Sequence, residues 1–211
     1  MARPKDGDLD LLRRWHKRFE AEEARDLFYK TATFLIELAL QPSPQLSMAE
    51  SLAVLLQTWN RQYYRFPRTD RPLGFTQESL RDIEHLIDRH LDDVLPYRSR
   101  RLESVNSDDT DRIIPIFTTF EERLGRTGTA KTLHLLAPRY FPLWETKITQ
   151  KAYHLHPRTP AATDYIRLMN TVAGEIESYG GWGAFSEDEN PLKLIDEMYY
   201  CKFVRNIRAP N

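Results

Sequence analysis

Two short runs hold the residues best placed to do chemistry. The first is Leu124-Gly125-Arg126-Thr127-Gly128-Thr129-Ala130-Lys131-Thr132, and the second is Phe141-Pro142-Leu143-Trp144-Glu145-Thr146-Lys147-Ile148. A glycine turn between two helices leaves backbone N–H groups at the start of the second helix, where they can hold a phosphate without reading base identity. The plainer use of the same glycines is to relieve a positive φ in a helical hairpin. Glu145 opens a helical segment, so its carboxylate either complements the helix dipole or faces a reacting centre where positive charge develops. The Lys131 amine becomes a nucleophile when desolvation lowers its pKa, and is otherwise a phosphate-contacting or solvated cation. Lys147, two residues after the acid, reads as a phosphate-contacting or orienting group.

Helices must position these groups. Apolar residues recur at helical spacing along nearly the whole chain, with no sustained strand-like alternation and no Asn-Gly or Asp-Gly hairpin signal, so the fold class is all-α. Residues 8–41 read as one or two helices with Leu12, Trp15, Phe19 and then Leu27, Phe34, Leu35 and Leu38 on the apolar stripe. Ser47 with Glu50 fits a capping box opening a helix that runs to near Phe66. Thr76 caps a helix to Leu95, and residues 97–109 look like a polar loop carrying Arg98, Arg100 and Arg101. The next helix spans about 111–124 with Pro115 near its first turn, followed by the turn 125–128 and a helix from Thr129 to Leu136. Helices near 146–154 and 161–179 lead to the break Gly180-Gly181-Trp182-Gly183, and Pro191 starts a last helix ending near Val204.

The chain has 211 residues, a formal net charge of -1 and one cysteine. That length supports a sizeable core, and a lone Cys201 can form neither an internal disulfide nor a thiolate zinc cage. The neutrality is a cancellation: residues 112–158 carry eight Lys or Arg against three acids, and 57–73 four Arg against one acid, whereas 76–111 carry ten acids against five bases and 174–200 seven against one. Local basic stretches of this kind suit a phosphate-rich partner, or form an ordinary mixed surface. His85 and His90 lie five apart on a helix, and His154 and His156 lack an obvious carboxylate partner, so no metal is expected. Phosphate-loop, dinucleotide and esterase motifs are absent. The N-terminus lacks an apolar signal core and no apolar run approaches membrane-spanning length, so a cytoplasmic, non-membrane protein is expected.

The order of glycine hairpin, Pro142-Leu143-Trp144 and the helix-opening acid resembles the helix-hairpin-helix DNA glycosylase superfamily. This chain departs from that pattern in having its glycines spaced G-x-x-G, one extra residue before the acid, and glutamate in place of aspartate. The stretch Val54-Leu55-Leu56-Gln57-Thr58 is similar to the one that supplies a base-wedging side chain in the superfamily. The resemblance spans residues 52–148 in motif order.

The resemblance implies two helical lobes with a cleft between them, a central lobe over residues 45–135 and a second formed by 1–44 and 136–211. It implies a monomer without cofactor that binds double-stranded DNA through Gly125, Arg126, Thr127, Gly128, Thr129 and Lys147, inserts Gln57 beside Asn60, flips a base and cleaves its N-glycosidic bond. Glu145 would stabilise the oxocarbenium-like sugar, and Lys131 would attack C1′ if the enzyme also nicks the strand. Trp59, Tyr63 and Tyr200 are the base-pocket expectations, because extruded bases are held between aromatic faces. Trp15 and Trp144 are expected in the core. The atypical acid and hairpin look like the phage-defence branch, which removes bulky modified bases such as glucosylated hydroxymethylcytosine. Repair of oxidised or alkylated bases, and a helical DNA-binding module without catalysis, are the alternatives.

Overall fold

The computed structural model describes residues 8–24, 26–59, 75–103, 105–156 and 161–210, with only the backbone of Trp59 included. Tyr63, Asn60 and the basic stretch 61–71 therefore lie outside the described residues, as does the Trp59 side chain. Among the described residues the fold is all-α. Its helices are α1 (Leu9–Glu22), α2 (Asp26–Ala39), α3 (Met48–Trp59), α4 (Gln77–Val94), α5 (Ser107–Leu136), α6 (Thr146–Lys151), α7 (Ala161–Ser178) and α8 (Pro191–Tyr199). A 3-10 turn (Leu95–Ser99) follows α4, another (Trp182–Ala184) precedes α8, and a π-helical turn (Tyr200–Arg205) follows it. None of the described helices is long and apolar enough to cross a membrane.

Local chemistry sets the helix starts. The Asp8 carboxylate accepts from Leu11 N at 2.8 Å, Thr76 and Ser79 form a reciprocal capping box, and Ser47 does the same with Glu50. α1 packs on α8, α2 on α3, α3 on α4, and α5 on α7. The buried apolar side chains form one continuous cluster from Leu12 to Cys201. Trp15 and Trp144 are both in it, as expected for structural tryptophans.

Several boundaries differ from expectation. α5 begins at Ser107, so Pro115 lies in its interior and not in its first turn. The polar run before it is misleading because Asn106 caps the helix through a 2.7 Å bond from Asp109 N, and Arg100 holds the Asp109 carboxylate with both terminal nitrogens at 2.7 and 2.8 Å. The glycine turn also contracts. Gly125 alone leaves helical geometry (φ 68°, ψ 164°), splitting α5 into 107–124 and 126–136, and Gly128 and Thr129 are buried helical residues. Only glycine adopts that backbone region readily, whereas a helical Gly128 has no such requirement. The last helix ends at Tyr199, its continuation to Arg205 being π-helical.

Candidate active site

The second half of α5, residues 126–136, carries Lys131 and His134 into the protein. Lys131 is 9 % exposed and His134 is fully buried. His134 Nδ1 donates to the Phe141 carbonyl at 2.8 Å, which fixes its neutral tautomer, and Nε2 then accepts from the Tyr29 hydroxyl at 3.1 Å. Burial pushes the His134 pKa down to about 4, so the ring stays neutral in this role near pH 7.

The segment 141–145 that delivers Glu145 is tied at three points. His134 holds the Phe141 carbonyl, the Tyr165 hydroxyl donates to the Pro142 carbonyl at 2.8 Å, and the Arg126 guanidinium lies 5.3 Å from the centre of the buried Trp144 ring. Arg126, the first residue after the Gly125 break, also approaches Glu121 at 3.5 Å. The break thus anchors the residue immediately before the acid. Glu145 itself is half-buried and caps α6, its Oε2 accepting from Lys147 N at 3.1 Å.

Lys131 and Glu145 both bear on the charge of Asp196 on α8, with opposite signs. Burial raises the Asp196 pKa to about 6, with Lys193 and Lys131 acting to lower it and Glu197 and Glu145 to raise it. Beside Asp196 lies a small cavity of about 30 Å³ lined by Phe19, Glu23, Asp26, Tyr29, Lys193, Asp196 and Tyr200. Lys193 Nζ lies 3.2 Å from Asp26 Oδ1 and 3.0 Å from Glu197 Oε1, with the Phe19 and Tyr29 rings 4.6 and 4.5 Å from it. The other Glu197 oxygen is 2.6 Å from His16 Nδ1, and that contact raises the His16 pKa.

The expected site residues divide by position. Tyr200 lines the cavity next to Asp196 and packs edge-on against Phe19, with ring centroids 5.9 Å apart. Lys147 is exposed on α6 and Gln57 is exposed on α3. Gly125, Arg126 and Thr127 are partly exposed at the break. Gly128 and Thr129 are buried, and Thr129 Oγ1 donates to the Gly125 carbonyl at 3.0 Å. Asp196, Lys193 and Glu197 escape the sequence reading, because acids and a lysine on a helix read as a solvated face. Their signal is the company they keep: Leu192, Leu194, Ile195 and Met198 leave α8 with little polar surface of its own, and all four are buried.

No protein-family model, curated protein or solved structure matches this chain.

Proposed function

We propose that the protein is a DNA glycosylase that extrudes a base from duplex DNA and cleaves its N-glycosidic bond to leave an abasic site. The observation that supports this reading is the half-buried Glu145 at the start of α6, delivered by a segment held by His134, Tyr165 and Arg126. The order of break and helix-opening acid follows the superfamily resemblance, with Lys131 one residue later than the lysine of its strand-nicking members.

In this mechanism the C1′–N bond breaks with its electron pair leaving on the base, and the sugar becomes oxocarbenium-like. The Glu145 carboxylate, preorganised by its cap to α6 and by the pinned segment before it, stabilises that positive charge. Water then adds to C1′, and its proton passes to a carboxylate of the site. On the lyase branch the neutral Lys131 amine adds to C1′ in place of water and gives a proton to a carboxylate of the site; the C1′–O4′ bond then breaks with its electron pair on O4′, which takes up that proton, leaving the protonated imine of the opened sugar. Arg126 and Thr127 at the break, with exposed Lys147, meet the phosphates, and Gln57 fills the space the base vacates. A bulky modified base of phage DNA is the substrate class that follows from the resemblance.

The test is base release. Purified protein is incubated with duplexes carrying oxidised, alkylated or glucosylated hydroxymethylated bases, and abasic sites are scored. The reading predicts abasic sites in at least one substrate, most strongly in the glucosylated duplex. Tight duplex binding with no base release across the panel would instead favour a DNA-binding module.

A further inference from the structure

A second feature of the surface lies away from Lys131 and Glu145. The turn after α4 and the segment after α5 enclose a cleft of about 380 Å³ lined by Arg98, Ser99, Arg100, Arg101, Pro138 and Arg139. That volume falls within the range of about 300–1,000 Å³ occupied by ligand clefts. The two segments are fastened together: Leu102 N donates to the Arg139 carbonyl at 2.9 Å, and the Trp182 indole donates to the Leu102 carbonyl at 2.7 Å. The arginines are thus held on a built frame.

Their charge is only half compensated. Arg98 pairs with Glu37 and Arg100 with Asp109, which leaves two positive charges among the four guanidinium groups. Arg98 also donates to the Leu135 and Leu136 carbonyls at 3.2 and 2.7 Å, satisfying the α5 C-terminus whose partial negative charge would otherwise repel an anion. Arg100 is stacked 5.0 and 4.7 Å from the Tyr97 and Tyr140 ring centres, so the two paired arginines form the rigid wall. Arg101 is exposed, lies over the Trp182 ring at 5.6 Å, and meets no carboxylate among the described residues. The Arg139 guanidinium donates to the backbone carbonyl of Glu187 and not to its carboxylate.

We propose that this cleft is a phosphate-binding site in which Arg101 and Arg139 grip the anion and Arg98 and Arg100 hold the frame. Guanidinium groups match phosphate oxygens in charge and geometry, and two arginines of one cleft without a carboxylate partner among the described residues suit the double charge of a phosphate. The phosphate is carried either by a polynucleotide backbone or by a free nucleotide. This assignment does not depend on any glycosidic chemistry at Glu145.

The experiment measures binding of a short fluorescent DNA duplex by anisotropy across a salt series, and binding of inorganic pyrophosphate by calorimetry. The proteins are wild type, Arg101→Gln/Arg139→Gln, and Arg81→Gln as an exposed-charge control on α4. Circular dichroism confirms folding, and Arg101→Gln alone serves if the double variant unfolds. The double variant is expected to weaken the phosphate ligand about tenfold. For a backbone ligand the slope of log affinity against log salt also falls by about 1 for each phosphate that is no longer neutralised, with Arg81→Gln near wild type. Loss of pyrophosphate binding with unchanged duplex binding supports the site and assigns it to a free nucleotide. Equal losses in the double variant and Arg81→Gln, unchanged binding of both ligands, or no wild-type binding to either overturns it. Abasic-site formation by the same samples separates this outcome from the glycosylase reading.

Discussion

The Lys193 ammonium and the Glu197 carboxylate lie 3.0 Å apart, one turn from each other on α8, and the two residues are only 8 and 2 % exposed. Burial works against the ammonium, but Glu197, Asp196 and Asp26 together keep the Lys193 pKa well above its ordinary value. Such a pair is sustained by mutual compensation: its formation adds little net stability, whereas removing one member leaves a buried charge alone. Lys193→Met is therefore expected to lose about 3–5 kcal/mol in urea unfolding. A loss below about 1 kcal/mol would show that water reaches the carboxylates.

Asp196 predicts a pH effect of the opposite sense from an ordinary surface acid. Its folded pKa, about 6, lies above its ordinary value of 3.8, so the fold favours the protonated form. The stabilisation is complete below 3.8 and is lost as pH rises through about 6. Asp196→Asn should thus gain melting temperature relative to wild type between about pH 4 and pH 7, read by thermal denaturation at each pH. A difference that does not change with pH contradicts this environment.

Gly125 and Gly174 separate conformational need from mere presence of glycine. Gly125 occupies a region that other residues reach only with strain, so Gly125→Ala should destabilise the protein by about 1–3 kcal/mol. Gly174 is helical and a Cβ there would meet nothing within 4 Å, so Gly174→Ala should stabilise it by about 0.5–1 kcal/mol. Chemical denaturation of the two variants checks the contrast, and equal effects would refute it.

Much of the fold is legible in the sequence. The capping signals at Ser47 and Thr76 mark real helix starts, because a side-chain oxygen three residues before its partner N–H is a local matter. The G-x-x-G run is less readable: both glycines look alike, yet Gly125 turns, with Arg126 beside it over Trp144, while Gly128 stays helical. The start of α5 is hidden because the Arg100–Asp109 pair that neutralises it reads as loop polarity in one dimension. Averaging charge over residues 76–111, whose acids lie mostly on α4, likewise conceals the arginine cleft, whose fourth arginine comes from beyond α5. Asp196 is invisible as a site residue, since nothing local reveals that it lines a cavity with Phe19, Tyr29 and Lys193.

Lys131 distinguishes simple hydrolysis from strand nicking. If its amine attacks C1′, borohydride added during the reaction should trap a covalent protein–DNA adduct that disappears in Lys131→Ala, seen as a shifted band on a denaturing gel. An adduct that persists in Lys131→Ala would assign the amine to another residue. Base release with no trapped adduct in wild type would restrict the enzyme to the water pathway.

The central claim rests on the Glu145 carboxylate, and the most direct measurement is the single-turnover rate of base release by wild type and Glu145→Gln on the most reactive duplex. The substitution keeps the side chain's size and an oxygen able to cap α6 while removing the charge. Wild type is predicted to release base about a hundredfold to a thousandfold faster than Glu145→Gln, with duplex affinity unchanged. Equal rates in the two proteins would contradict the mechanism.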